Sequence, residues 1–360
     1  MRILIAPDKF KGTLTGSGAA LAMTHGVRNV RPQAWVSASP LADGGGGTLD
    51  VLVDAVGGTK EFTDTVDPWG TKRRVAIGLL NERVAFIETA AATMGDALRA
   101  DSLGIGRLIR VAADIVGPDG TVLVGVGGTA STDGGVGLAR ALGWRFLDER
   151  SQLLSAGGGS LEDLRYIDPP AERVSVRVIG LCDVDVPIDQ SAEMFAPQKG
   201  ASSVEVDLLD RGLSNLCDVI RDTIEVDVRG LSFGGAGGGI GAGLVAFLGA
   251  ELRSGFSYVA DVMNLSDLIE TADAVLTGEG RFDEQSLKGK VPVGVASIAH
   301  DLGVPCLGLF GDISVSERTV LNAGFSDVLD LRGIPEGTLP ADPAGSVTAA
   351  TETLVRRQPF

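Results

Sequence analysis

Thr121 to Gly143 reads TVLVGVGGTASTDGGVGLARALG. An apolar, β-branched run comes first, and apolar residues at helical spacing come last. Between them, six glycines fall from Gly125 to Gly137, with Ser131, Thr132 and Asp133 among them. Strand, glycine-rich loop and helix in that order form the unit from which parallel α/β sheets are built. Glycine costs a folded chain backbone entropy, so six at one junction imply that something approaches the bare main chain closely. Gly125, Gly127 and Ala130 fit G-x-G-x-x-A, a variant of the dinucleotide fingerprint that carries little weight in so glycine-rich a chain. The loop suits a phosphate: it offers main-chain N–H groups, two hydroxyls and a helix N-terminus. Asp133 either caps that helix or reaches a metal.

The same rhythm extends outward. Arg2–Ala6 predicts a buried strand, Gly16–Val30 a helix stopped by Pro32, Ala34–Pro40 a second strand, and Thr48–Val56 a helix closed by Gly57 and Gly58. Two extended segments then flank Asp67-Pro68-Trp69-Gly70, a strong turn signal, and Val84–Glu88 is a further strand. This section predicts antiparallel or mixed sheet. Ser102–Val116 is a helix, Val174–Ile179 a strand reaching Cys182-Asp183, and Ser203–Arg221 a long amphipathic helix. The glycine tract 234–243 predicts a helix running to about Leu252. A parallel pattern returns in Asp273–Gly280, Val291–Gly303 and Pro305–Asp312. The expected fold is therefore α/β with two domains. Residues 1–60 and 262–360 form a Rossmann-like domain whose parallel sheet draws on both chain ends. Residues 61–261 form an inserted α/β domain with a mixed sheet.

Composition bounds the partners. The 360 residues are 44% hydrophobic and 22% charged, with a net charge of −16. An acidic chain disfavours nucleic acid and anionic membranes, which select basic surfaces. Anionic small molecules stay open if Lys, Arg, helix N-termini or a cation meet their charge locally. The 51 glycines are about twice the usual ~7% and are clustered without a period, which excludes collagen. Cys182, Cys217 and Cys306 are scattered and read as reduced and mostly buried. The N-terminus lacks a signal-peptide pattern, and the uncharged stretch 230–250 is too rich in glycine for a good membrane helix. These features predict a cytoplasmic protein.

Four more loops lie at expected strand ends, where open α/β sheets bind ligands. The first, APDKFKGTLTG, offers Asp8, Lys9 and Lys11; the plain alternative is a capped helix start with solvated lysines. In PLADGGGGTLD, Asp43 precedes Gly44, Gly45, Gly46 and Gly47, a nest of N–H groups for an anion. GGAGGGIGAG at 234–243 is an anion loop, a hinge or a site of close helix packing. In TGEGRFDEQSLKGK, the residues Glu279, Arg281, Asp283, Lys288 and Lys290 form either a phosphate clamp with Mg²⁺ or a solvated loop. His25 and His300 fall in helices with apolar neighbours, so any base is an Asp, Glu or Lys. That inventory fits phosphoryl transfer, where positioning and electrostatics carry most of the catalysis.

In number and order, APDKFKGTL, PLADGGGGT, DPWG, FIETAAATM, VGVGGTASTDGGVGLARALG, FAPQKGA, GGAGGGIGAGL and LTGEGRFDEQSLKGKVPVGVA resemble the bacterial glycerate 2-kinase type of the glycerate kinase family. The resemblance spans nearly the whole chain. It implies an ATP- and Mg²⁺-dependent kinase that converts D-glycerate to 2-phosphoglycerate in a cleft of two α/β domains. Under it, Lys11 and the N–H groups of the Asp43–Gly47 loop, including Gly44, Gly45 and Gly46, meet the substrate carboxylate. Asp8 or Asp43 orients or deprotonates the attacking hydroxyl. Gly127, Gly128, Thr129, Ser131, Thr132 and Gly134, with Gly237, Gly238 and Gly239, cradle the ATP phosphates. Asp183 and Asp283 hold Mg²⁺, and Arg281 or Lys290 neutralises charge on the transferred group. Two positions depart from the family pattern: CDVDVPI stands where D-V-T-N-P is expected, and Gly46 where Glu is expected. The rival readings are an NAD(P)-dependent oxidoreductase of a small hydroxy acid and a non-catalytic sensor of a small acid or nucleotide.

Overall fold

Hydrogen-bonded strands in the computed structural model, which describes residues 1–89, 95–334 and 340–359, define an α/β architecture. In chain order the strands are β1 (Arg2–Ile5), β2 (Trp35–Ala38), β3 (Thr59–Val66), β4 (Lys72–Asn81), β5 (Val84–Glu88), β6 (Thr121–Val126), β7 (Arg145–Leu147), β8 (Tyr166–Asp168), β9 (Arg177–Cys182), β10 (Glu251–Ser254), β11 (Ala274–Glu279), β12 (Cys306–Phe310) and β13 (Asp327–Asp330). The chain divides into two compact units, one of residues 1–43 with 256–360, the other of residues 44–255.

The first unit holds a five-stranded, all-parallel sheet of order β13-β12-β11-β1-β2. Such sheets are covered on both faces, and their strands are short runs of Ile, Leu and Val. Ile3, Ile5, Leu276, Leu307 and Leu309 pack with Met23, Val27 and Leu354 in one core. The helix Gly16–Val30 starts where Thr15 accepts a hydrogen bond from the Gly18 N–H at 3.1 Å, which caps it. From β1 the chain moves to β2 on one side. From β11 it moves to β12 and β13 on the other. The connection therefore reverses direction between β1 and β11, which is where open α/β sheets open a crevice at their carboxyl ends.

The second unit holds a six-stranded mixed sheet of order β10-β9-β6-β5-β4-β3 and the small hairpin β7–β8. β3, β4 and β5 are antiparallel, and β5, β6, β9 and β10 are parallel. The Asp67–Gly70 turn joins β3 to β4: Asp67 Oδ1 accepts from the N–H groups of Trp69 and Thr71, both at 2.9 Å, and Gly70 supplies φ +87°. Two expectations shift here. The strand expected over 174–179 is β9, displaced toward its carboxyl end. The helix after the glycine tract does not reach Leu252. It spans Ala236–Leu248 and stops because Gly249 takes a left-handed φ of +62° and returns its N–H to the carbonyls of Leu244 and Val245. Leu252 lies instead in β10, an edge strand beside β9. The three cysteines are free and buried, and among the described residues no helix is long and apolar enough to cross a membrane.

Candidate active site

In the first unit, the carboxyl ends of β1 and β11 gather charged side chains out of solvent. The Asp8 N–H donates to the Gly278 carbonyl at 2.9 Å, which ties the loop after β1 to the end of β11. A side chain at Gly280 would bring a Cβ to 2.9 Å from the Lys11 nitrogen, so the two loops approach this closely only because Gly280 is bare. Asp8 and Asp43 are 4% and 5% exposed. Lys9 Nζ lies 3.4 Å from Asp8 Oδ1 and 3.9 Å from Asp43 Oδ1, bridging both. Burial lifts the Asp8 carboxyl to about 6 against the pull of Lys9, with the Asp43 charge adding to the rise. Glu279, the last residue of β11, is 6% exposed, and burial pushes it to about 8 although Lys290 and the Ser286 hydroxyl favour its charged form.

The remaining charged residues of these loops are more open. Lys11 is exposed. Arg281 is exposed, and its Nε lies 3.8 Å from Asp283 Oδ2 and 3.6 Å from Asp312 Oδ2. Asp283 Oδ1 accepts from the N–H groups of Gln285 and Ser286, at 2.9 and 3.3 Å, and so shapes the turn that leads to the helix Val291–Asp301. His25 and His300 lie exposed on helices.

The second unit carries the glycine loops. Gly44 has φ +93°, and a Cβ there would stand 2.3 Å from the Leu181 carbonyl oxygen, so this turn lies directly over β9. The nest it leads into is served by the protein itself. Glu88 Oε1 accepts from Gly47 N–H at 2.9 Å and Leu49 N–H at 2.8 Å, and Thr48 Oγ1 accepts from Gly44 N–H at 3.1 Å. The helix Thr48–Val56 thus begins on a carboxylate of the chain, as the helix dipole favours.

The loop after β6 and the glycine tract interlock. The Gly134 N–H donates to the Gly238 carbonyl at 3.1 Å, and a Cβ at Gly238 would stand 2.1 Å from the Ser131 carbonyl oxygen. Gly237, Gly238 and Gly239 all have positive φ at the start of their helix. Of the three readings open for this tract, close packing is the one its contacts display. Ser131 and Thr132 are fully buried, whereas Gly128 is exposed. Asp133 accepts from the Ser102 N–H and hydroxyl and from the Gly135 and Gly137 N–H groups at 2.7–3.2 Å. Its carboxylate serves the helix start, as the capping alternative expects.

One residue of this region is not among the site residues expected from the sequence. Lys199, within FAPQKGA, is 6% exposed and donates to the Ser131 carbonyl at 2.6 Å and to Thr132 Oγ1 at 3.2 Å. Burial lowers its ammonium to about 8, and the charges of Asp133 and Asp183 oppose that fall. Asp183 itself follows β9, and a Cβ at Gly127 would stand 2.7 Å from its Oδ2. Among the described residues no three His, Cys, Asp or Glu side chains are grouped to hold a metal. Mg²⁺ in phosphoryl-transfer sites takes only one or two protein carboxylates and completes its shell with phosphate oxygens and water. Asp183, half-buried beside bare main chain, fits that role; Asp283, committed to its turn, fits it less well. The last five residues of FIETAAATM, 90–94, lie outside the described residues.

Comparison with known proteins extends the geometry. The sequence profile of the "Glycerate kinase family" matches residues 3–356. A relative from Escherichia coli K12, named glycerate 2-kinase, is 37% identical over 357 residues, covering 93% of each chain. One from Bacillus subtilis 168, named glycerate kinase, is 35% identical, covering 96% of this chain and 93% of its own. The crystal structure of a protein assigned as glycerate kinase 2 from Salmonella typhimurium LT2 superposes with a TM-score of 0.78 at 35% identity, covering 99% of this chain and 96% of that one.

Proposed function

Because the chain belongs to the glycerate kinase family and is therefore a kinase, we propose that it transfers the γ-phosphoryl group of ATP to the 2-hydroxyl of D-glycerate, giving 2-phosphoglycerate and ADP. The observation that carries this reading is the Asp8–Lys9–Asp43 cluster at the point where the parallel sheet reverses its connections. Asp8 accepts the proton of the attacking hydroxyl. Its carboxyl, raised to about 6, is ionised at neutral pH yet basic enough for the task. Asp43 orients the same hydroxyl. Lys9 holds the two carboxylates apart, Lys11 meets the substrate carboxylate, and Lys290 or Arg281 meets charge on the transferred group. The 2-hydroxyl assignment rests on the Escherichia coli relative's name.

For the nucleotide we propose the exposed main chain at Gly128, with the buried Gly127 and Thr129 on either side of it. Ser131, Thr132, Gly134 and Gly237 to Gly239 form the frame that fixes this segment, and Lys199 locks the frame by its bonds to Ser131 and Thr132. Asp183 is the proposed Mg²⁺ carboxylate. When bound, the ion would neutralise charge on the phosphate oxygens. A cytoplasmic location suits the three free cysteines. The test is incubation with ATP, Mg²⁺ and D-glycerate, followed by phosphorus NMR. 2-Phosphoglycerate supports the reading; the 3-isomer would reassign the hydroxyl. ATP left intact, with nicotinamide reduced in a parallel incubation, would favour the oxidoreductase. Binding without turnover would favour the sensor.

A further inference from the structure

Two buried side-chain oxygens have no hydrogen-bond partner among the described residues, Glu279 Oε1 and Ser39 Oγ. Both lie at the carboxyl edge of the same parallel sheet. Glu279 ends β11 and Ser39 follows β2, the two strands that flank β1. Buried polar atoms are nearly always paired, so two orphans on either side of the strand that leads to Asp8 mark a place completed by something other than the protein. A charge count at the same place is equally uneven. Glu279 faces Asp8 from the loop after β1, Asp43 from the segment after β2, Lys290 from the start of the helix Val291–Asp301, and the Ser286 hydroxyl from the turn before it. Lys9 stands against Asp8 and Asp43. Three carboxylates therefore oppose two ammonium groups before the substrate arrives, and Lys11, which meets the substrate carboxylate, balances only the charge that the substrate brings. Buried charge without compensation is expensive, and one proton on the cluster removes the excess.

We propose that Glu279 is a positioning residue whose carboxyl group must carry a proton for the cluster to admit the anionic substrate, so that capture of glycerate is linked to protonation of this one side chain. The proposal rests on the reading that glycerate binds at the Asp8–Asp43 cluster. The geometry singles out Glu279 for the proton. Its Oε1 has no donor to stabilise negative charge, whereas Asp8 Oδ1 accepts from the Lys9 N–H at 2.7 Å and faces the Lys9 ammonium. In its neutral form Glu279 keeps the buried trio from repelling the substrate carboxylate. Once ionised, it closes the cluster to anions.

The linkage has a defined sign. Glu279 is raised to about 8 in the free protein. If only its protonated form admits glycerate, KM for glycerate rises about tenfold between pH 7 and pH 9, and at pH 9 binding draws close to one proton from solution. The experiment measures KM for D-glycerate across that range in the full-length enzyme at saturating ATP and Mg²⁺. It also measures proton uptake calorimetrically, with D-glycerate titrated in two buffers of different ionisation enthalpy. In Glu279→Gln the ratio of KM at pH 9 to KM at pH 7 should fall from about ten to near one, and the uptake should vanish. Ser286→Ala, which removes a hydrogen bond to the charged form, should move the alkaline rise to higher pH. A Glu279→Gln enzyme that keeps the parent's pH dependence and proton count overturns the proposal, as does a parent with normal turnover and no uptake at pH 9. A parent that neither binds nor phosphorylates D-glycerate at pH 7 removes the substrate reading, and this proposal with it.

Discussion

Gly238→Ala measures how much of the glycine-rich region is mechanical. The helix Ala236–Leu248 has a left-handed glycine at each end, Gly238 with φ +73° near its start and Gly249 with φ +62° after its last turn. A left-handed alanine costs about 1–2 kcal/mol, offset by about 0.4–1 kcal/mol for the restricted unfolded chain. At Gly249, where a Cβ meets nothing within 4 Å, that is the whole effect, about 1 kcal/mol. At Gly238 the Cβ would stand 2.1 Å from the Ser131 carbonyl oxygen, 2.8 Å from Thr132 Cα and 2.8 Å from Lys199 Nζ. Two of these are main-chain atoms, so the loop must move. Overpacking adds about 1–3 kcal/mol and loss of the Gly134–Gly238 hydrogen bond about 1 kcal/mol, for a total of about 3–5 kcal/mol. Trp144, buried and 5.2 Å from the Phe247 ring of the same helix, reports this unit's unfolding by fluorescence in urea. Gly238→Ala should lower the midpoint several times more than Gly249→Ala. Equal midpoints would refute the interlocking account and return the tract to ligand binding.

Other outcomes follow from single residues. The kcat/KM for glycerate should fall as pH drops through about 6, where Asp8 protonates, and Lys9→Met should move that fall to higher pH because Lys9 favours the charged form. Lys11→Ala should raise KM for glycerate about tenfold while leaving KM for ATP unchanged in steady-state assays. Asp183→Asn should raise the Mg²⁺ concentration needed for half-maximal rate, and an unaltered Mg²⁺ titration would exclude it as a ligand. Asp133→Asn puts an amide where one carboxylate receives four donors, so it should cost about 2–4 kcal/mol in a thermal melt read through Trp144.

The parts of the fold that were legible from sequence are those set by local chemistry. The helix Gly16–Val30 is marked at both ends, by Thr15 and by Pro32. The β3–β4 hairpin is written into Asp67-Pro68-Trp69-Gly70, and β6 into its β-branched run. Gly249 does not differ in the sequence from the glycines before it, so nothing local marks where this helix stops; its left-handed φ ends the helix. The site was legible as loops and not as partners. Asp8 and Asp43 stand out at strand ends, but their link through Lys9 depends on pairing of strands far apart in sequence. Lys199 carries no local signal as a site residue, and Glu279 stands out only as one charge of a loop that also reads as solvated, because burial is a tertiary property. The serial glycines near 44 and 238 pointed correctly to close approach. What approaches, a carboxylate of the chain in one case and the main chain of another loop in the other, is outside any local pattern.

Glu88 closes one further route. By occupying the amides of Gly47 and Leu49 it acts as a tethered competitor, present at the effective millimolar concentration that a short linkage confers. A free carboxylic acid arriving there would have to evict a ligand that never diffuses away. That helix terminus is in effect pre-inhibited by a carboxylate of its own chain.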